Sequence, residues 1–233
     1  LLRFFKSKNF DVDYFGVEDW APTPPDTVQQ MLDTKLVDRV FVGQRKPYRD
    51  NRVKRFFLHK LPEVFLNRNK DNSKFGADAS LHLCRQFQKV LKENTYDYII
   101  INYTNWADIV RDKKYIKGAR LIIDTHDFLT VQQYNRDRCK EKNNLGMIFQ
   151  EEINRLNYFD EVWSVSIDEY YIFDQILDAS VELVPNISIY EPKEVSDFDK
   201  SYDLFYVASD NPYNKVSARW FFDNVYPLFD ESI

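Results

Sequence analysis

The sequence predicts an α/β protein with a doubly wound, mainly parallel sheet and helices on both faces. Short apolar, β-branched or aromatic runs recur along the chain, and most are separated by stretches with helical periodicity. Continuous apolar runs are typical of strands covered on both faces, as in parallel sheets. The runs that carry this pattern are YDYIIIN, ARLIIDTHD, DEVWSVS, VELVPN and YDLFYVAS.

The earlier part of the chain supplies further elements of the same kind. A helical stripe predicts a helix over residues 1–8, and alternation of apolar and acidic residues predicts a strand over 10–18. Asp26 is a natural N-cap for the helix that follows. A second strand is expected over 38–44, nearer an edge, and a long helix is expected from residue 73 onward.

These elements predict one parallel-centred sheet spanning residues 10–187. The strands at 96–102 and 121–124 are apolar throughout, so we expect them to be neighbours near its centre. Residues 1–188 are predicted to form this domain, and the polar segment 189–201 reads as a linker. Residues 202–233 supply one more β–α unit, which predicts the start of a truncated second domain.

Charge is distributed unevenly along the chain. The net charge is −5, yet residues 44–70 hold nine Lys or Arg against two acidic residues, which makes that segment +7 and the remainder −12. An acidic protein with one basic segment is not a generic nucleic-acid binder. Two interpretations of the segment stay open: a solvated loop and helix, or a contact with an anionic lipid surface or a phosphorylated acceptor.

Several kinds of site are excluded or disfavoured by the sequence. The five glycines are widely separated, so neither a dinucleotide fingerprint nor a P-loop can be built from them. Cys84 and Cys139 have no metal-ligand or disulfide spacing, which favours a reducing cytoplasm. The DVD sequence at 11–13 lies within an alternating strand and reads as its solvent face. We therefore expect neither a metal nor a cofactor.

Polar residues at the carboxyl ends of the predicted strands are the first candidates for a ligand site, because open parallel sheets bind ligands there. Most of them could equally cap the following helix. His126 is the exception, since its imidazole would lie at the mouth of the crevice, with Asp124 or Asp127 able to set its tautomer. The other candidates are Asn102, Thr104, Asn105, Ser166, Asn186, Asn211 and Asn214.

The order and spacing of several motifs resemble a known family. Residues 119–186 contain "ARLIIDTHD", "EEINRLNYFDEVWSVSIDEYYIFDQ" and "VELVPN". This is similar to the N-terminal domain of family 4 retaining glycosyltransferases with the GT-B fold, which consists of two Rossmann-like domains. The last 32 residues look like the first strand and helix of the C-terminal domain. Ile187 stands where the family usually has glycine after Pro-Asn.

The resemblance implies transfer of a sugar from a nucleotide sugar to a carbohydrate or lipid-linked acceptor, with retention and without metal, as in polysaccharide biosynthesis. His126 would match the family's histidine near the transferred sugar, and we predict a catalytic role for His126 and Asp127. The predicted acceptor-binding residues are Asn102, Thr104, Asn105, Arg45 and Arg49. The predicted donor-proximal residues are Ser166, Asn186, Asn211 and Asn214.

The family's first strand and its Glu-rich donor motif would lie outside residues 1–233, so we expect the chain alone to be inactive. Two alternatives stay open: a sugar-nucleotide epimerase of the same double-Rossmann architecture, and a binding or assembly module without catalysis. The expected location is the cytoplasm, at the inner face of the membrane if segment 44–70 contacts lipid. The sequence makes no prediction of oligomeric state.

Overall fold

The computed structural model describes residues 1–18, 24, 26–66, 78–137, 145–185, 204, 206–208 and 212–229. The chain divides into two compact units, Leu1–Ile187 and Ser188–Ile233. The predicted linker 189–201 lies outside the described residues. In the second unit, helix α9 (Pro212–Asn224) is followed by a 3₁₀ turn at Tyr226–Leu228. Its described residues at 204 and 206–208 are not part of a strand, although the sequence predicts one there.

The first unit alternates strands and helices, as the sequence predicts. Its strands are β1 (Asp13–Val17), β2 (Arg39–Gly43), β3 (Tyr98–Asn102), β4 (Arg120–Asp124), β5 (Glu161–Ser164) and β6 (Ser180–Leu183). Its helices are α1 (Leu2–Ser7), α2 (Thr27–Asp33), α3 (Arg52–Arg55), α4 (Leu61–Leu66), α5 (Leu81–Glu93), α6 (Leu129–Asp137), α7 (Leu145–Leu156) and α8 (Ile167–Ile176). A π-helical turn, Phe56–Lys60, joins α3 to α4, and 3₁₀ segments cover Thr104–Val110 and Lys113–Tyr115.

All the described strands are parallel, which confirms the α/β class, but they form two sheets instead of one. Strand β1 pairs with β2, and the second sheet has the order β3-β4-β5-β6. The prediction that β3 and β4 are neighbours is confirmed, with Ile100 opposite Ile122. The prediction that β3 is central is wrong, because β3 is an edge strand of its sheet. An apolar run indicates that both faces of a strand are buried. It does not indicate whether both edges of the strand are hydrogen-bonded to neighbouring strands.

One face of the four-stranded sheet carries the main core. The side chains on this face come from alternate positions of β3, β4 and β5 and are all buried: Ile99, Ile101, Leu121, Ile123 and Val162. Residues of α5, α7 and α8 belong to the same cluster, with Leu83, Phe87 and Leu91 of α5 at helical spacing. Side chains that point the same way from adjacent strands thus pack against one layer of helices.

The opposite face of the same sheet is covered less completely. A shallow depression of about 260 Å³ lies on it. Its lining residues are Phe5, Phe10, Tyr98, Ile100, Arg120, Ile122, Glu161 and Trp163. Phe10 contacts Tyr98 edge to face, with ring centroids 6.2 Å apart, so the segment after α1 lies over this face.

Helix α5 begins later than the sequence predicts. Ser80 is its N-cap, and the Ser80 hydroxyl accepts a hydrogen bond from the Leu83 N–H at 3.2 Å. Residues 78–80 are not helical, and the expected start at residue 73 lies outside the described residues. Glu63 of α4 also accepts from the Leu81 N–H with both carboxylate oxygens, at 3.0 and 3.1 Å. The start of α5 is therefore fixed by two separate side chains.

Candidate functional site

Two aromatic rings stack at the carboxyl edge of the four-stranded sheet. Tyr103 follows the last residue of β3, and His126 lies two residues beyond the end of β4. Their ring centroids are 4.5 Å apart with an interplanar angle of 22°. Both backbones are left-handed, with φ of 67° at Tyr103 and 58° at His126. Non-glycine residues seldom adopt this conformation, and such strain concentrates at functional sites.

The His126 turn is anchored to the neighbouring strand. The N–H and the hydroxyl of the buried Thr125 both donate to the Trp163 carbonyl, at 3.1 and 3.0 Å. The Asp127 N–H then donates to the Thr125 carbonyl at 2.7 Å. Thr125, the residue before His126, is therefore hydrogen-bonded to β5, and this fixes the position of the His126 turn.

The imidazole of His126 lies beside an amide and a carboxylate. Its Nε2 is 3.2 Å from Asn102 Oδ1 and 3.3 Å from Asp124 Oδ2. Burial raises the pKa of Asp124, and the charge and backbone N–H of His126 oppose that shift. Of the two carboxylates that the sequence offers as partners for His126, the structure selects Asp124.

This arrangement fixes the chemistry available to the ring. Both nearby acceptor oxygens lie on the Nε2 side, so Nε2 is placed to donate to them, and Nδ1 is the hydrogen-bond acceptor when the ring is neutral. A neutral imidazole held in this way can accept a hydrogen bond from a hydroxyl group through Nδ1. The side chain of His126 is 30% exposed, and the exposed Tyr103 ring beside it offers an apolar surface. The pair can therefore contact a ligand that presents hydroxyl groups and an apolar face.

Comparison of this chain with known protein families, curated proteins and solved structures gives no match. Among the described residues, no group of three or more His, Cys, Asp and Glu side chains is placed to hold a metal ion.

Asp127, predicted to be catalytic with His126, is oriented differently. Its Oδ2 accepts from Gln132 Nε2 at 3.4 Å, on the side of α6. Its charge also raises the pKa of Glu169, although burial is the main cause and the N–H groups of Phe128 and Val165 oppose it. Glu169 Oε2 has no hydrogen-bond partner among the described residues. Asp127 and Glu169 thus form a second, acidic part of the same edge.

Two predicted acceptor-binding residues are brought together by an acidic residue that the sequence did not single out. Asp78 forms an ion pair with Arg45 and accepts from Asn105 Nδ2 at 2.9 Å. Thr104, at the start of the 3₁₀ segment after β3, is fully buried. The Thr104 hydroxyl is therefore not presented to a ligand, contrary to its predicted acceptor-binding role.

Of the other predicted site residues, two lie in the first unit, one lies in the second unit and two lie outside the described residues. Ser166 is the N-cap of α8, where its hydroxyl accepts from the Glu169 N–H at 3.3 Å. Asn214 lies in α9 of the second unit, and its carbonyl accepts from the Tyr206 hydroxyl at 3.3 Å. Arg49 lies in the loop before α3. Two predicted donor-proximal residues, Asn186 and Asn211, lie outside the described residues.

A buried carboxylate supports the segment that follows the site. Glu152 of α7 is fully buried and accepts from the Leu129 N–H at 2.9 Å, the Thr130 N–H at 2.8 Å and the Thr130 hydroxyl at 2.6 Å. These donors open α6, so Glu152 acts as its N-terminal cap from another helix. Burial raises the pKa of Glu152 to about 7, and the same hydrogen bonds oppose the shift.

Sequence reasoning missed the roles of Tyr103, Glu152 and Glu169. The candidate range at the end of β3 includes Tyr103, but a left-handed backbone is not readable from residue type. Glu152 lies at the centre of an amphipathic helix, one turn before a leucine, which is a weak sign of burial. Glu169 stands three residues after Ser166, and this capping-box spacing was the available signal.

Proposed function

We propose that this chain is the acceptor-side part of a glycosyltransferase that transfers a sugar from a nucleotide sugar to a carbohydrate or lipid-linked acceptor. The observation that carries the proposal is the stacked pair of Tyr103 and His126 at the carboxyl edge of a parallel sheet. Parallel α/β sheets bind ligands at this edge. The motif order of residues 119–186 resembles GT-B enzymes and supplies the reaction class.

In this proposal His126 accepts a hydrogen bond from a sugar hydroxyl through Nδ1. Asp124 and Asn102 hold the ring in the tautomer that makes this possible, since both lie within 3.3 Å of Nε2. Tyr103 stacks on the ring and offers its exposed side to the apolar face of a sugar. The chain's contribution is positioning and hydrogen bonding, which are large terms in group-transfer reactions.

The test is sugar transfer by the full-length enzyme of which this chain is proposed to be the acceptor-side part, measured with a panel of UDP-, GDP- and TDP-sugars and glycan or lipid-linked acceptors. His126→Ala should lower kcat/KM at least tenfold, or about 1.4 kcal/mol of barrier. Asp124→Asn should lower it as well, because the ring loses the carboxylate that fixes its tautomer. Lys89→Ala, on the exposed side of α5, is the matched control and should leave the rate unchanged.

Other outcomes would point to the two alternatives. Release of free nucleotide with an epimerised sugar, in the absence of any acceptor, identifies an epimerase and overturns sugar transfer. Binding of a glycan without turnover identifies a binding module. A His126→Ala variant that folds normally and transfers sugar at the wild-type rate removes His126 from the site.

A further inference from the structure

Residues 52–66, within the basic segment 44–70, form one exposed helical rod. Helix α3, the π-helical turn and α4 run without interruption from Arg52 to Leu66. At 1.5 Å per residue, these fifteen residues extend over about 22 Å. Asn51 caps the start of this rod, which we call the basic helix, by accepting from the Lys54 N–H at 2.9 Å.

The solvent-facing side of the basic helix is apolar, which is the reverse of an ordinary surface helix. Val53, Phe57 and Val64 are 68%, 59% and 59% exposed, and Phe65 is 76% exposed. Phe56, Leu58 and Leu61 are exposed as well. Residues 53, 57, 61 and 64 follow each other at intervals of four, four and three, so they form a continuous stripe along the rod.

The inward-facing side of the basic helix holds it on the first unit. His59 is buried, and its ring lies 6.5 Å from the ring of His82 on α5. Glu63 accepts from the N–H of Leu81 with both carboxylate oxygens. The acidic side chain of the rod therefore points to the start of α5, away from the apolar stripe.

Cationic side chains border the apolar stripe. The side chains of Arg52, Lys54 and Lys60 are all exposed. On a helix, Lys54 and Lys60 lie on either side of the line that joins Val53, Phe57 and Val64. The exposed charge along the rod is thus positive beside an outward apolar face. This combination matches an anionic bilayer surface, where aromatic and aliphatic side chains enter the headgroup region and Lys and Arg contact lipid phosphates.

We propose that the basic helix binds anionic lipid bilayers by lying in the plane of the membrane interface. No described helix is long and apolar enough to cross a bilayer, so this contact is with one leaflet. Phe57 and Phe65 supply the inserted apolar surface, and Lys54 and Lys60 supply the electrostatic attraction. The inference is independent of the proposed sugar transfer, since it requires neither His126 nor a nucleotide sugar.

The test is co-sedimentation of the protein with vesicles of phosphatidylcholine alone and of phosphatidylcholine with phosphatidylglycerol. The protein should bind the anionic vesicles at least about tenfold more strongly, and 0.5 M NaCl should weaken that binding. The double substitution Phe57→Glu/Phe65→Glu should lower binding at least about tenfold. Lys54→Glu/Lys60→Glu should lower it by a similar factor on anionic vesicles only.

Matched controls distinguish lipid binding by the basic helix from non-specific binding through any exposed aromatic side chain or any exposed lysine. Tyr171→Glu removes an aromatic side chain that is 61% exposed on α8, and Lys89→Glu/Lys113→Glu reverses two lysines away from the basic helix. Both controls should bind like the wild type, and circular dichroism should show that every variant is folded. Equal binding to both kinds of vesicle, or wild-type binding by Phe57→Glu/Phe65→Glu, overturns the proposal. Self-association through this face without vesicle binding overturns it as well.

Discussion

Replacing Glu152 tests how the segment beyond the His126 turn is held in place. The carboxylate accepts three hydrogen bonds inside the protein, from the N–H groups of Leu129 and Thr130 and from the Thr130 hydroxyl. Glu152→Ala leaves these donors at the start of α6 without their acceptor. Each buried donor left unsatisfied costs about 1–3 kcal/mol, and partial hydration of α6 returns some of that. We therefore expect a loss of about 3 kcal/mol in the free energy of unfolding.

Glu152 also predicts how stability depends on pH. Burial raises its folded pKa from 4.5 to about 7. Between these values the folded protein keeps a proton that the unfolded chain has released, so stability falls as pH rises. The contribution of Glu152 is fully present below pH 4.5 and is lost as pH rises through about 7. Its slope is at most about 1.4 kcal/mol per pH unit.

Urea denaturation at pH 5, 6, 7 and 8, followed by circular dichroism, measures both effects. Glu152→Gln keeps the shape of the side chain but cannot titrate, so the wild type should lose stability relative to this variant between pH 5 and 7. Glu93→Gln, exposed at the end of α5, is the comparison variant and should leave the pH dependence unchanged. A wild-type protein that gains stability relative to Glu152→Gln over this range would refute the reasoning. So would a Glu152→Ala variant as stable as the wild type.

Two further predictions concern packing and charge in the first unit. Arg155 is fully buried and lies 3.0 Å from Glu151 Oε1 and 3.5 Å from Asp108 Oδ2, so Arg155→Ala should lower the free energy of unfolding by about 3–5 kcal/mol in urea titrations. The control Arg85→Ala, at an exposed position on α5, should change the free energy of unfolding by less than about 0.5 kcal/mol. A Cβ at Gly43 would lie 2.6 Å from both Leu83 Cδ1 and Phe15 Cζ, so Gly43→Ala should destabilise by about 1–3 kcal/mol. Thermal melts that rank Gly43→Ala no lower than the wild type would contradict this.

Periodicity and strand composition were enough to predict the α/β class and the positions of β1 to β6. They were not enough to predict how the strands join. The run YDYIIIN predicts a central strand because every residue from Ile99 to Ile101 is apolar, yet β3 is an edge strand. Its faces are covered by α5 on one side and partly by Phe10 on the other. Whether the faces of a strand are buried determines which residue types the strand carries. Which strands pair along its edges depends on segments that are distant in the sequence.

The candidate site shows the same division. His126 could be predicted because a histidine after a buried strand must lie at the carboxyl edge. Its partners could not all be predicted, since they depend on the left-handed turn that brings Tyr103 over the ring. Thr104 illustrates the opposite error: its neighbours are exposed or half-buried, but the 3₁₀ segment turns its side chain into the core.

The left-handed backbones of Tyr103 and His126 imply that the stability of the protein and the geometry of its candidate site favour different residues at these positions. A side chain held at positive φ costs about 1–3 kcal/mol, and glycine would remove that cost at either position. A selection for thermal resistance alone would therefore favour glycine at both positions and erase the stacked rings. Efforts to make this protein more heat-resistant should leave these two residues untouched and look for gains in the helices instead.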